Sequence, residues 1–181
     1  MIARRIFLIC CLVLCILLHA QIEDVDNNQN DHPLVECETT KGSITIEVIP
    51  NWSPLGAERF LQLIDDNFFT NIALYRCVKR FLTQFGISDN PTKRHWHHQS
   101  INDDPNLNLG IKKNYVSFAG GGPNTRSTQI FIAFEDLDFL GKEPWETPFG
   151  ISVVHSRLLT FFIFLLFRSG NKGTRNSRCI L

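Results

Sequence analysis

The sequence carries no excess of charge of either sign. It has 18 basic and 18 acidic residues among its 181, so the formal net charge is zero. A domain that binds nucleic acid or an acidic membrane surface ordinarily presents a basic excess. The composition therefore favours neither partner, and we exclude nucleic acid as the expected ligand.

Cysteine is scarce outside one segment, and no cysteines have the spacing of a zinc site. Three of the six lie within the first 15 residues, where they serve as small apolar side chains. The other three are Cys37, Cys77 and Cys179. An odd number leaves at least one thiol unpaired, so the sequence does not predict a disulfide framework.

The N-terminal apolar run falls short of the roughly 20 residues that a membrane-spanning helix prefers. It covers residues 6–18, follows Arg4 and Arg5, and is separated from the rest by a polar linker over 21–33. This layout predicts a secretory signal peptide over 1–20. Because Leu18 is a poor residue three before a cut after Ala20, an uncleaved type II anchor is the alternative. Either way the remainder would enter the lumen or be secreted.

Folded sequence is predicted from Leu34, and the hydrophobic fraction of the whole chain, 44%, is sufficient for one core. Alternation on both sides of Lys41-Gly42 predicts a β-hairpin that ends at Pro50. Ser53-Pro54 then favours a helix start, and apolar residues recur at helical spacing as far as Asp65-Asp66-Asn67.

Two further strand pairs are predicted, each around a distinctive connection. In the first, 74–86, two short strands flank Lys79-Arg80. In the second, Tyr115 to Ile132, apolar strands flank the loop Ala119-Gly120-Gly121-Gly122-Pro123-Asn124-Thr125. Adjacent glycines permit positive φ and close approach of a foreign backbone, so this loop suits an extended peptide.

Arg76 is the candidate functional cation of the first predicted strand pair. Period-two alternation places it on the same face as Leu74 and Val78, among apolar neighbours. The alternative from spacing alone is an edge arginine with its head group in water.

These segments together resemble the cyclophilin-type peptidyl-prolyl isomerases. The resemblance is carried, in the family's order, by Phe68-Phe69, Leu74-Tyr75-Arg76, Phe81-Leu82-Thr83-Gln84-Phe85-Gly86, the loop 119–125, Thr128-Gln129-Ile130-Phe131-Ile132 and Phe149-Gly150. It covers Leu34 to Gly150. It implies a mainly β fold, an eight-stranded antiparallel barrel capped by two helices, and isomerase activity on X-Pro peptide bonds in protein folding.

The resemblance also implies a role for particular residues. Arg76 matches the family's catalytic arginine and Gln84 the glutamine that steadies it. The residues expected to bind the substrate are Phe81, Leu82, Phe131 and Leu140 in the proline pocket, and Ala119, Gly120 and Gln129 along the peptide chain. No nucleophile, metal or organic cofactor is expected, and the partners implied are proline-containing peptides and proteins.

Three positions depart from the family pattern. Gly120 replaces the usual asparagine, Phe139 is the nearest stand-in for the missing pocket tryptophan, and Trp145 lies close to where many members have histidine. These changes predict weak binding of cyclosporin-type ligands. Together with the altered C-terminus, the lost tryptophan favours the alternative function, a weakly active or inactive module that binds proline-containing peptides.

Other polar clusters have simpler interpretations. His95-Trp96-His97-His98 is predicted to lie on an exposed loop and not to bind metal. Asp103-Asp104-Pro105 is predicted to be a solvated turn, and Glu135 to Asp138 a surface loop.

After Gly150 the resemblance stops, and 151–181 is predicted to be a divergent tail. Its apolar run, Leu158 to Phe167, is too short to span a bilayer as a helix. Arg168 to Arg178 is basic and poor in apolar residues, so it is predicted to be disordered. An altered transcript end is favoured over a membrane-binding segment or a replacement strand. Membrane contact is expected only through an uncleaved N-terminal segment.

Overall fold

The chain begins its described fold with the predicted hairpin. The computed structural model describes residues 32–40, 42–153 and, for the backbone, 175–180. Strands β1 (Leu34–Thr39) and β2 (Gly42–Val48) pair antiparallel, with Thr39 opposite Gly42. Gly42, the second residue of the predicted turn, has φ of 125°, which only glycine adopts easily, and Lys41 lies outside the described residues.

The predicted helix is also present. Helix α1 (Pro54–Asp65) has proline in its first turn and buries the apolar side chains that recur at helical spacing. Its Phe60 ring lies 5.7 Å from Phe69 and 5.1 Å from Phe149, centroid to centroid. These contacts fix α1 against the sheet. The second capping helix implied by the resemblance would follow Gly150, and residues 154–174 lie outside the described residues.

The remaining strands complete a single antiparallel sheet. They are β3 (Ile72–Ala73), β4 (Arg76–Val78), β5 (Leu82–Phe85), β6 (Tyr115–Phe118), β7 (Ile130–Ala133), β8 (Gly150–Val153) and β9 (Arg175–Ile180). The nine strands run in the order β3-β9-β1-β2-β8-β6-β7-β5-β4. Two 3-10 helices lie at Pro91–His98 and Pro144–Glu146.

The sheet order itself shows that the sheet curls. Its two end strands, β3 and β4, are joined by Leu74-Tyr75 alone. Three Cα–Cα steps span at most about 11 Å, so the two ends of the sheet must come together. A curled antiparallel sheet around one apolar core is the predicted barrel-like fold, and this prediction is confirmed. The core is aromatic-rich and includes Val35, Ile46, Val48, Phe60, Leu63, Phe68, Phe69, Phe118, Ile132 and Phe149.

The C-terminal region differs from the prediction. Strand β8 continues the fold past Gly150 by pairing with both β2 and β6. Residues 175–180 form β9 between β1 and β3, so the prediction of disorder is wrong for Arg175 to Arg178. Backbone pairing with an existing sheet edge does not require apolar side chains, and composition therefore missed it. The apolar run 158–167 lies outside the described residues.

Cysteine pairing was also missed. Cys37 is disulfide-bonded, whereas Cys77 is a free thiol. In the β1–β9 register, Cys37 stands directly opposite Cys179. The sequence analysis named no pair of cysteines, because this pairing depends on strand register and not on sequence spacing.

The histidine-rich segment is a 3-10 helix and not a loop. His97 Nδ1 lies 2.8 Å from Thr128 Oγ1, and its Nε2 accepts from the Ser88 amide at 3.4 Å. Trp96 donates to Asp66 at 2.7 Å and packs against the core. This segment therefore braces Thr128, which is next to Gln129 in the stretch that leads into β7. Within the described part of the chain, no helix is long and apolar enough to cross a membrane.

Candidate functional site

Arg76 lies on an end strand of the sheet and its side chain is exposed, as the simpler interpretation predicts. Its guanidinium nevertheless has a defined position. Nη1 donates to Gln84 Oε1 at 3.2 Å across the β4–β5 pair, where the two residues stand opposite each other. Cζ lies 5.5 Å from the centre of the Phe81 ring, within cation–π range. The structure thus brings together the two residues predicted to be catalytic.

A chain of side-chain amides extends from Arg76. Gln84 Nε2 donates to Gln129 Oε1 at 3.0 Å, and Tyr75 Oη donates to the same oxygen at 2.6 Å. Because arginine can only donate, the oxygen of Gln84 must face it, and this fixes the orientation of both glutamines. The two N–H groups of Gln129 make no bond within the described residues and remain available to a ligand.

Tyr75 is a site residue that sequence reasoning missed. Burial raises the pKa of its phenol, and the charge of Arg76 opposes this shift without reversing it. The phenol is therefore protonated at neutral pH and donates to Gln129. Tyr75 precedes β4 and has no place in the strand alternation, so only its position next to Arg76 in the sequence could have indicated it.

An apolar cluster lies beside Arg76, where the resemblance predicts the wall of the proline pocket. Leu82 and Phe131 are buried in one cluster, and the partly buried Phe81, Ala119 and Leu140 pack against it. These five were all predicted to bind substrate. The cluster also includes four residues that sequence reasoning missed, namely Ile111, Tyr115, Ala133 and Leu137. Ile111 and Leu137 lie in loops, and Tyr115 and Ala133 lie at the ends of β6 and β7, so no local motif marks them.

The glycine-rich loop borders the pocket through Ala119. The Ala119 amide donates to the Gln129 carbonyl at 2.8 Å, and the Gly121 amide donates to Thr125 Oγ1 at 2.8 Å. The Gly120 amide has no hydrogen-bond partner within the described residues, so it can donate to a bound peptide. Of the three glycines only Gly122 has positive φ, 152°, and Asn124 makes the turn at φ 56°.

Phe139 and Trp145, the two aromatic residues that depart from the family pattern, both lie at the site. Phe139 is 63% exposed, and its ring centroid lies 5.7 Å from that of Phe81. It therefore extends the aromatic surface of the pocket, although most of its area faces solvent. Trp145 lies beside the loop, with its Cβ 3.4 Å from the point where a Cβ on Gly120 would stand.

A buried polar cluster lies behind the loop, and it corrects one prediction. Asp104 is 1% exposed and accepts from the Leu55 and Gly56 amides, both at 2.9 Å, and from the Ser53 hydroxyl. It therefore caps α1 in place of Ser53, which makes no side-chain cap bond. The prediction of a solvated turn is wrong for Asp104, because its partners are distant in sequence.

Arg126 provides the countercharge of this cluster. Its Nη1 lies 3.0 Å from Asp104 Oδ2, and its side chain is fully buried. Burial alone would raise the pKa of Asp104. The hydrogen bonds from Ser53, Leu55, Gly56 and Arg126 outweigh burial and hold the pKa of Asp104 below its ordinary value. The carboxylate is thus charged at neutral pH.

Comparison with known proteins identifies relatives of this chain. The family model described as cyclophilin type peptidyl-prolyl cis-trans isomerase/CLD matches residues 34–157. The chain is 32% identical over 106 residues to peptidyl-prolyl cis-trans isomerase CYP18-2 of Arabidopsis thaliana, covering 55% of this chain and 63% of that protein. It is 28% identical over 132 residues to peptidyl-prolyl cis-trans isomerase CYP65 of the same plant, covering 70% of this chain but 21% of that protein. The chain thus spans about a fifth of the length of that larger relative.

A solved structure supports the fold. The crystal structure of a cyclophilin type peptidyl-prolyl cis-trans isomerase from Cryptosporidium parvum matches with a TM-score of 0.63 at 19% identity, covering 83% of this chain and 98% of the other. The family model covers well over half of the chain. The chain therefore belongs to the cyclophilin-type peptidyl-prolyl cis-trans isomerase family.

Proposed function

We propose that this protein catalyses cis-trans isomerisation of X-Pro peptide bonds, with Arg76 as the transition-state donor. The observation that carries the proposal is the guanidinium of Arg76, held by Gln84 and the Phe81 ring at the edge of an apolar pocket. A related fold supports the substrate class, since the Cryptosporidium parvum cyclophilin was crystallised in the presence of the dipeptide Ala-Pro.

The chemistry requires no covalent step. Rotation about a peptide bond has a barrier of about 20 kcal/mol, because the twisted amide loses its resonance. Twisting localises a lone pair on the proline nitrogen, which then accepts a hydrogen bond. A donor fixed near that nitrogen stabilises the twisted state more than either planar state. Arg76 supplies the donor, because a guanidinium carries its N–H groups in a fixed planar arrangement.

The rest of the site positions the substrate. The wall formed by Phe81, Leu82 and Phe131 can bury a proline ring. The Gln129 amide and the Gly120 amide are free within the described residues to bond the peptide chain on either side. These contacts act on parts of the substrate that do not rotate, so they contribute to binding in ground and transition states alike.

One observation favours a second candidate, a module that binds proline-containing peptides with little turnover. The Arg76 side chain is exposed on an end strand, and Phe139 beside Phe81 is itself 63% exposed. Water around a guanidinium weakens its field, so stabilisation of the twisted amide would be smaller than in an enclosed site.

A direct assay separates the two candidates. The purified protein is added to a proline-containing tetrapeptide, and the cis-to-trans rate is followed by protease coupling and, independently, by NMR exchange. An isomerase accelerates exchange at catalytic concentration. Saturable chemical-shift changes in the peptide with no faster exchange would instead establish the binding module.

We also propose that the protein acts in the secretory pathway. The basic flank and apolar run at residues 4–18 support entry, and the disulfide at Cys37 suits an oxidising compartment. The test is protease protection of a C-terminally tagged chain in intact microsomes. Full accessibility of the tag would contradict secretory entry.

A further inference from the structure

Arg126 is the first residue after the glycine-rich loop and has the largest fully buried side chain of the described residues. Its guanidinium contacts two other chain segments at once, the start of α1 and residues 102–104. Nη1 donates to Ser53 Oγ at 3.2 Å and to Asp104 Oδ2 at 3.0 Å, and Nη2 donates to the Asn102 carbonyl. Nε faces Asp103 Oδ1 at 3.4 Å. A buried arginine with this set of partners joins the loop to α1 and to residues 102–104.

The same two segments are joined at the loop tip. The Asp103 amide donates to Asn124 Oδ1 at 3.0 Å, and the Asn124 amide donates back to Asp103 Oδ2 at 2.8 Å. The Ile101 amide donates to the Arg126 carbonyl at 2.8 Å. The loop is therefore held at its tip by Asn124 and at its end by Arg126.

The aliphatic part of Arg126 lies against the loop residue expected to meet the substrate. Its Cγ is 3.5 Å from the point where a Cβ on Gly120 would stand. The stem thus packs beneath Gly120, while the charged end is fixed by Asp104. Movement of Arg126 would move the Gly120 amide with it.

We propose that Arg126 is a positioning residue that places the Gly120 amide for substrate binding. The proposal rests on the proposed function in assigning the bound ligand as a proline-containing peptide. Arg126 is fully buried, so it acts through the loop and not by contact with the peptide. The loop binds a part of the peptide that does not rotate, so loss of its position raises KM and leaves kcat unchanged.

This outcome differs from that of a merely structural role. A residue needed only for stability lowers the fraction of folded enzyme, which lowers the apparent kcat and leaves KM unchanged. Ile64 provides the matched control, because it is buried in the core on α1 and belongs to neither the loop nor the site.

The experiment compares Arg126→Met, Arg126→Lys and the control Ile64→Val. Arg126→Met should raise KM on the order of tenfold, with kcat per folded molecule within about twofold of wild type. Arg126→Lys should raise KM by less, because lysine keeps a positive charge for Asp104 but cannot bind Asp104 and the Asn102 carbonyl at once as the forked guanidinium does. Ile64→Val should leave KM unchanged. If Arg126→Met does not fold, the double variant Arg126→Met/Asp104→Asn replaces it, because it removes both members of the buried pair.

A second readout does not depend on catalysis. Amide hydrogen exchange at residues 119–125 should accelerate in the Arg126 variants, while exchange in β6 and β7 stays at the wild-type rate. Unchanged KM together with unchanged loop exchange would overturn the positioning role. A wild-type protein without turnover would refute the proposed function instead, and loop exchange would then decide the role of Arg126 alone.

Discussion

Replacement of Asp104 by asparagine tests the buried cluster behind the glycine-rich loop. The carboxylate of Asp104 is 1% exposed, caps α1 through two amides and lies 3.0 Å from Arg126. Asparagine has nearly the same size but no charge, so it leaves the guanidinium of Arg126 buried with weaker compensation. Breaking a buried ion pair in this way typically costs about 3–5 kcal/mol.

We expect Asp104→Asn to lower the free energy of unfolding by about 3 kcal/mol, the lower end of this range, because Asp103 still lies 3.4 Å from Arg126 Nε. This is a large part of a typical domain stability of roughly 5–15 kcal/mol. The assay is urea unfolding at neutral pH. Asp138→Asn is the matched control, because its carboxylate is 92% exposed and 3.9 Å from Lys112, and we expect a change within about 0.5 kcal/mol.

The pH dependence gives an independent check on the same residue. The pKa of Asp104 is lower in the folded state than in the unfolded state. Its contribution to the free energy of unfolding is therefore complete above the unfolded-state pKa of about 3.9, and it is lost as pH falls through the folded-state pKa. The stability gap between wild type and Asp104→Asn should therefore narrow in acid below about pH 4. A loss under about 1 kcal/mol at neutral pH, or a gap that does not change with pH, would refute the reasoning.

Three further predictions concern cysteine chemistry and one glycine. A non-reducing peptide map should join the Cys37 peptide to the Cys179 peptide, because the strand register places them opposite each other; a free thiol at Cys37 in oxidised protein would contradict this. Burial raises the pKa of the Cys77 thiol, so iodoacetamide should label it slowly in the native state and rapidly in urea, and equal rates would count against burial. Gly86→Ala should destabilise by more than about 1 kcal/mol, since Gly86 has φ of 105° and the new Cβ would lie 2.1 Å from the Thr128 carbonyl oxygen; an unchanged urea midpoint would show that the backbone adapts.

Local patterns predicted the parts of the fold that local physics determines. The hairpin β1–β2 follows from alternation and one glycine, and α1 follows from a proline start and helical spacing. The strands on either side of Lys79-Arg80 were predicted in the same way, and Arg80 makes the turn with φ of 60°. Each of these elements is specified by residues close to one another in the sequence.

Features that depend on distant partners were not predicted. Asp104 was placed in solvent because nothing near it in sequence indicates Arg126 or the start of α1, 22 and about 50 residues away. Strand β9 and the disulfide at Cys37 depend on the register of a strand edge, which composition does not encode. Within the site, the motif residues came together as expected. The positions of Tyr75 and of the four additional cluster residues, Ile111, Tyr115, Ala133 and Leu137, became visible only in the folded structure.

The central claim is that Arg76 stabilises the twisted amide, and one pair of variants tests it most directly. Arg76→Ala and Arg80→Ala remove the same charge from the same hairpin, but Arg80 pairs with the exposed Glu135 at 3.1 Å and lies outside the site. The measurement is the isomerisation rate and the peptide Kd for each variant. Loss of a transition-state donor costs about 3 kcal/mol, so Arg76→Ala should lower turnover on the order of a hundredfold with little change in Kd, while Arg80→Ala should retain wild-type turnover. Wild-type turnover in a folded Arg76→Ala protein would contradict the account.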